Sequence, residues 1–231
     1  MSVEPASTGA PDAGVARVVE VRHGRVGTLR HAGKDEPSAI AKQRVHGPIH
    51  LGPLGFEGDA VGDTRNHGGH DKAVCVYPAA RYAAWEARYG HDLLRPAFGE
   101  NLLVSGQDEA TVCVGDVYAL GTALVQVSQP RVPCYKPAAF TGERRLTVGL
   151  RETGWTGWYL RVLEPGAVTE GDALTLAERV EGALDVLTLN RVRYGPRDAD
   201  ALRAAAQTPA LMDAWREALW KLARGHSDPD D

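Results

Sequence analysis

The apolar positions of this chain fall into short runs separated by glycine, with the length and period of strands. From Val15 the pattern reads VARVVEV, a His23-Gly24 turn signal and RVGTL, two β-branched runs that predict an opening hairpin. AVCVY at 73–77 is another apolar run of strand length. After it Pro78 suits a first helical turn, Tyr82, Trp85 and Tyr89 fall on one face, and Gly90 can supply a left-handed stop, so a helix is predicted there. The strand pattern returns in TVCV (111–114), VYAL (117–120) and ALVQVS (123–128), divided at Gly115 and Gly121. WYLRVL (158–163), the turn signal Glu164-Pro165-Gly166 and ALTL (173–176) predict a further hairpin. Residues 31–71 are read as one long irregular loop rich in Gly, His, Asp and Pro, and loops of that kind tend to be functional.

From Gly182 the period changes. ALDVLTLNRVRY, DADALRAAAQ and ALMDAWREALWKLARG predict three helices, the last capped at Thr208-Pro209, striped by Leu211, Trp215, Leu219 and Leu222, and closed by Gly225. Many short strands with glycine turns and one clear internal helix predict a mainly β fold, a closed or nearly closed β-barrel over 15–178. A small C-terminal three-helix appendage follows over 179–225. Residues 1–14 and 226–231 read as disordered tails, the first lacking the basic start and apolar core of a secretory signal. No apolar run approaches the roughly 20 residues of a membrane span.

Composition narrows the function. With 231 residues, 43% hydrophobic and 24% charged, the chain can bury a substantial core, which excludes a disulfide-stapled miniprotein and bulk disorder. Lys+Arg 26 against Asp+Glu 30 leave a formal charge of -4, so no global positive field gathers nucleic acid. Cys75, Cys113 and Cys134 form an odd set without a Cys-x-x-Cys pair, which suits a reducing, cytoplasmic setting rather than a disulfide framework or a four-cysteine zinc site.

Three segments could carry chemistry. GDAVGDTRNHGGHDKA (58–73) sets Arg65, His67 and Lys72 around Gly68-Gly69, where backbone N–H groups can turn toward an anion; a solvated turn is the plain alternative. His67 and His70 could share a metal only on a helix, and the glycines between them oppose one. Glu100 and Asn101, beside Gly99, could hydrogen-bond a heterocycle or simply lead into a strand. In QPRVPCYK (129–136) prolines stiffen a loop whose Arg131 and Lys136 favour the thiolate of Cys134, a nucleophile or soft-metal ligand; an ordinary loop cysteine is the alternative. Cys75 and Cys113 sit inside apolar runs and read as inert core.

GDAVGDTRNHGGHDKAVCVY, FGENLLVSG, VGDVYALGTALVQVSQPRVPCYKP and ETGWTGWYLRV, in that order, resemble the MOSC domain family, in its stand-alone bacterial YiiM-type branch. The resemblance covers 15–178, and the helical appendage is similar to the three-helix extension of that branch. It implies a MOSC-type β-barrel binding the molybdenum cofactor (molybdopterin), and a reductase of N-hydroxylated compounds such as 6-hydroxylaminopurine, a detoxifying activity. By the same resemblance Cys134 takes the role of molybdenum ligand and catalytic residue. Arg131, Lys72 and Arg65, with the Gly68-Gly69 backbone, contact the anionic cofactor, and His67, Glu100 and Asn101 belong to the same pocket. No cysteine-rich iron–sulfur motif and no Gly-x-Gly-x-x-Gly fingerprint is present, so an external reductase is the expected electron donor. Two other readings stay open: a non-redox carrier of the cofactor or its sulfur, and a thiol enzyme with Cys134 as nucleophile and His67 as base. Trp215, Trp220 and Leu222 either anchor a homodimer or partner contact, or cover the barrel.

Overall fold

The computed structural model describes residues 16–64 and 67–228. The expected tail 1–14, Val15, Arg65 and residues 229–231 lie outside them. Seven strands close into a barrel: β1 (Ala16–His23), β7 (Val74–Pro78), β8 (Leu102–Ser105), β9 (Val117–Leu120), β10 (Ala123–Pro130), β11 (Trp158–Glu164) and β13 (Ala173–Glu178). The ring runs β1-β8-β7-β11-β10-β9-β13 and returns to β1 through Ala16↔Leu174. All pairs are antiparallel except β7–β8. Closure removes the exposed edges that an open sheet of this size would present. The runs that read as buried are so: all five residues of β7 are buried.

Between β1 and β7, the stretch read as irregular loop contains four short strands besides the end of β2 (Gly27–His31). They are β3 (Lys34–Ser38), β4 (Gln43–Val45), β5 (Ile49–Gly52) and β6 (Gly55–Phe56). β2 pairs with β3, not with β1, which corrects the predicted opening hairpin. The reason is local. Gly24 does not adopt positive φ, and its N–H is held by Asp59 Oδ1 at 2.8 Å, so the chain does not reverse at His23-Gly24. The hairpin predicted around Glu164-Pro165-Gly166 is likewise absent. β12 (Gly166–Val168) pairs with β5, and β13 pairs with β9 and β1. TVCV is not a strand either; Cys113 makes an isolated bridge to Asp185.

Helix α1 (Ala79–Tyr89) ends at Gly90 with φ 78, as its sequence requires. Helices α2 (Lys136–Thr141) and α3 (Leu146–Thr153) were not legible, because six and eight residues are too few for an apolar stripe to stand out. The C-terminal helices are α4 (Val186–Tyr194), α5 (Ala199–Ala205) and α6 (Asp213–Ala223). α6 starts at Asp213, not at Thr208-Pro209: Ala210 is left-handed with φ 58, and the Met212 N–H is taken by the Ser128 carbonyl of β10 at 3.0 Å. Leu211, Trp215, Leu219 and Leu222 are all buried, in one core cluster with Val112, Val125 and Val127 of the barrel half. The helical part therefore completes the barrel's core, and Trp215 and Leu222 face inward. A second cluster, with Tyr77, Tyr82, Trp85 and Phe98, seats α1 and α3 against β7 and β8. Among the described residues no helix is long and apolar enough to cross a membrane.

Candidate functional site: a cation-lined cleft around Cys134

The chemistry gathers where the segment 38–42, the Gly-rich segment 59–73 and the loop after β10 meet. A cleft of about 740 Å³, counted to its open mouth, is lined there by Cys134, Arg131, Lys136, Lys72, His67, Gly68 and Asn101.

Arg131 is the centre of the electrostatics. Its backbone N–H is fixed to the Gly157 carbonyl at 3.0 Å and its Nη2 lies 3.8 Å from Cys134 Sγ. Nη1 is buried with no hydrogen-bond partner among the described residues. Burial works against its charge, but the Cys134, Tyr159 and Cys75 side chains more than offset that and hold Arg131 above the usual arginine range. A buried donor left without an acceptor costs about 1–3 kcal/mol, more when charged, so this guanidinium is prepared for an anion. Cys134 is held from behind: Thr147 Oγ1 of α3 donates to its carbonyl at 3.2 Å. The next residue, Tyr135, donates its hydroxyl to Glu36 of β3 and stacks on His31 at 4.5 Å.

His67 is depressed to about 4, first by burial and then by Arg131, Lys136 and Lys72, with Asp63 opposing. It is thus a neutral imidazole at physiological pH. The unfolded chain takes up this proton below about 6.5, the folded one only near 4, so the stability tied to His67 is whole above 6.5 and is withdrawn as pH falls toward 4. In a proton NMR titration its ring signals are expected to stay unshifted from pH 8 to 5; a midpoint near the ordinary histidine value would refute the half-buried, cation-ringed placement.

Asn101 acts as a hub. Its Oδ1 accepts from the Cys75 N–H at 3.0 Å, and its Nδ2 donates to the Arg22 carbonyl at 3.2 Å and to Asp59 Oδ2 at 2.8 Å. Asp59 also binds Lys42 Nζ, and both line the cleft. Lys42 and Tyr159 were not singled out from sequence, because no local motif marks them; Asp59 was read only as part of the segment 58–73, and Cys75 only as core. Cys75 is buried and burial raises its thiol to about 12, which agrees with an inert residue although it forms part of the cleft wall.

Two expected site residues are corrected. Glu100 does not line the cleft: it is 1% exposed and accepts from the Tyr82 hydroxyl at 2.6 Å and the Phe98 N–H at 3.2 Å. Gly69 is exposed and leads into the 3-10 turn His70–Lys72 instead of lining the cleft. Asp71 pairs with Arg161 at 2.7 Å, away from the cleft.

Among the described residues no three His, Cys, Asp or Glu side chains gather to hold an ion, so a metal bound here must bring ligands of its own. One soft sulfur, several fixed cations and an orphaned guanidinium fit a metal carried by an anionic organic cofactor.

Comparison with known proteins agrees with this arrangement. The MOSC domain model matches residues 63–175, which span the Gly-rich segment and the Cys134 loop. Protein YflK of Bacillus subtilis is 42% identical over 205 residues, covering 88% of this chain and 93% of its own. The crystal structure of YiiM from Geobacillus stearothermophilus superposes with a TM-score of 0.75 at 37% identity, over 90% of this chain and 99% of that one. A protein of Gibberella moniliformis named Reductase is 38% identical over 182 residues, which are 76% of this chain but 32% of that longer protein. With its closed barrel, its cleft cysteine, and YflK and the Geobacillus YiiM structure matched over nearly their whole length, the chain belongs to the MOSC domain family.

Proposed function

We propose that this protein is a molybdenum-cofactor-dependent oxidoreductase that reduces N-hydroxylated compounds, of the 6-hydroxylaminopurine kind, to amines. One observation carries the reading: the Cys134 sulfur lies 3.8 Å from a buried arginine whose Nη1 has no partner among the described residues. That pairing suits a soft metal on a negatively charged carrier. The name Reductase borne by one relative agrees with a redox role.

When bound, the cofactor supplies a metal that cycles between oxidation states and accepts oxygen. The chain's residues do the rest. Cys134 offers the thiolate ligand, while Arg131, Lys72 and Lys42 meet the cofactor's negative charge. Gly68, with φ 76, lets the backbone approach closely, since any Cβ would press on Val61 Cγ2 at 3.0 Å. His67, neutral, offers one donor and one acceptor and competes with no cation for the anion. Overall, R–NHOH with two electrons and two protons becomes R–NH2 and water. The electrons come from a separate reductase.

The test is turnover of 6-hydroxylaminopurine by protein reconstituted with molybdenum cofactor and a chemical electron donor, beside a cofactor-free control. Turnover that requires the cofactor supports the reading. Tight cofactor binding without turnover across several N-hydroxylated substrates replaces it with a carrier role. Turnover in metal-free protein, blocked by thiol alkylation, replaces it with a thiol enzyme.

A further inference from the structure

A chain of buried hydrogen bonds runs from the C-terminal helices to Arg131. It starts at Asn190 of α4, whose Nδ2 donates to the Gly154 carbonyl at 3.0 Å and to Thr156 Oγ1 at 2.8 Å. The Thr156 hydroxyl donates in turn to the Gly157 carbonyl at 2.9 Å. That carbonyl also accepts the Arg131 N–H at 3.0 Å, and Arg131 Nη2 lies 3.8 Å from Cys134 Sγ. Gly157 is held at its N–H as well, by Glu109 Oε1 at 3.0 Å, and Glu109 is fixed by Arg81 Nε at 2.8 Å.

Packing alone does not account for an amide at position 190. Asn190 and Thr156 are both fully buried, and Asn190 Oδ1 has no partner among the described residues. An acceptor orphaned in a core is unfavourable, so the side chain is held there for its two donors. Gly157 shows what those donors serve. It adopts φ 71, and any Cβ would lie 2.3 Å from the Val76 carbonyl oxygen, so the turn sits directly against β7 and only glycine fits. A glycine restricts its own backbone little, and the direction of its carbonyl must be set from outside. The Thr156 hydroxyl sets it, and Asn190 fixes that hydroxyl by occupying its oxygen. Buried links of this kind reinforce one another, because each donor polarises the next.

We propose that Asn190 is a positioning residue for the cleft: through the Thr156 hydroxyl it aims the Gly157 carbonyl, which anchors Arg131 beside Cys134. The helical end of the chain thereby acts on the site from a distance. The inference rests on the reading of Arg131 as the contact for an anion in the cleft. Its test uses neither cofactor nor turnover, so it and the redox reading can fail separately.

The experiment is alkylation of Cys134 in cofactor-free, full-length protein with iodoacetate and, separately, with iodoacetamide, followed by mass spectrometry of the peptide that carries Cys134. With either reagent the sulfur displaces iodide, but only iodoacetate brings a carboxylate for Arg131 to attract. The ratio of the two rate constants therefore reports where the guanidinium stands, while thiol exposure and thiolate fraction divide out. Asn190→Leu and Thr156→Val are expected to lower the ratio about fourfold, as for a guanidinium withdrawn by about 1 Å from an anion about 4 Å away at an effective dielectric of about 20. Thr156→Ser, which keeps the hydroxyl, should retain the wild-type ratio, and Arg131→Met marks the floor. A wild-type ratio in Asn190→Leu or in Thr156→Val overturns the proposal, as does a fall in Thr156→Ser equal to that in Thr156→Val. If circular dichroism shows that Asn190→Leu loses its fold, the contrast between Thr156→Val and Thr156→Ser decides; unfolding of both Asn190→Leu and Thr156→Val makes the chain of bonds structural alone and overturns the proposal. A wild-type ratio already at the Arg131→Met floor removes Arg131 as the anion contact and takes the proposal with it.

Discussion

Replacing Cys134 with alanine is expected to bring reductase activity of the cofactor-loaded protein to the level of the cofactor-free control, while the fold survives. Loss of groups that merely orient a metal ligand costs about 10–100-fold, so loss of the ligand itself must exceed that range. The fold should persist because Cys134 is half-buried at the edge of the cleft and belongs to neither core cluster. The bond that its carbonyl accepts from the Thr147 hydroxyl uses only the backbone of residue 134 and is kept. Stability should change by no more than about 1 kcal/mol, as for other substitutions outside a core. Steady-state turnover and thermal unfolding of the variant and of Cys134→Ser check both halves. A variant with wild-type turnover would remove Cys134 from the chemistry, and one that unfolds would make its role structural.

Replacing Trp215 with alanine is expected to destabilise the whole molecule and not the tail alone. Its side chain is 2% exposed within the cluster that also contains barrel residues, and the Arg193 guanidinium lies 4.5 Å over its ring. Truncating a buried tryptophan costs about 3–5 kcal/mol, and a chain of this size should lose on the order of 10 °C in melting temperature. The informative readout is the number of transitions. A single cooperative transition at lower temperature, followed by far-UV circular dichroism and by tryptophan fluorescence together, is the result expected of one continuous core. Two separated transitions, with the barrel melting near the wild-type temperature, would show that the helices form a unit of their own.

The sequence by itself determined the elements whose signals are local. The all-apolar run of β7 had to be buried on both faces, and it is. The stop of α1 was written in Gly90, and the apolar stripe of α6 in Trp215, Leu219 and Leu222. Cys134, Arg131 and Lys72 were also legible as chemistry, because a cysteine between prolines and cations, and a lysine behind a Gly-Gly pair, are unusual local compositions. The order of motifs along the chain carried the family resemblance. Only the tertiary structure decided which strand meets which. β1 leaves β2 for β8 and β13 because the barrel gives Val18 and Val21 a buried wall, an outcome fixed by residues more than eighty positions away. Separation along the chain also hid the pairing of Lys42 with Asp59, whose bond to Asn101 joins a third segment to them. Glu100 and Asn101, neighbours in sequence, take partners from different segments, Glu100 the Tyr82 hydroxyl and Asn101 the Asp59 carboxylate. Periodicity reports what a segment buries; partners are chosen by the free energy of the closed core, which is a property of the whole chain.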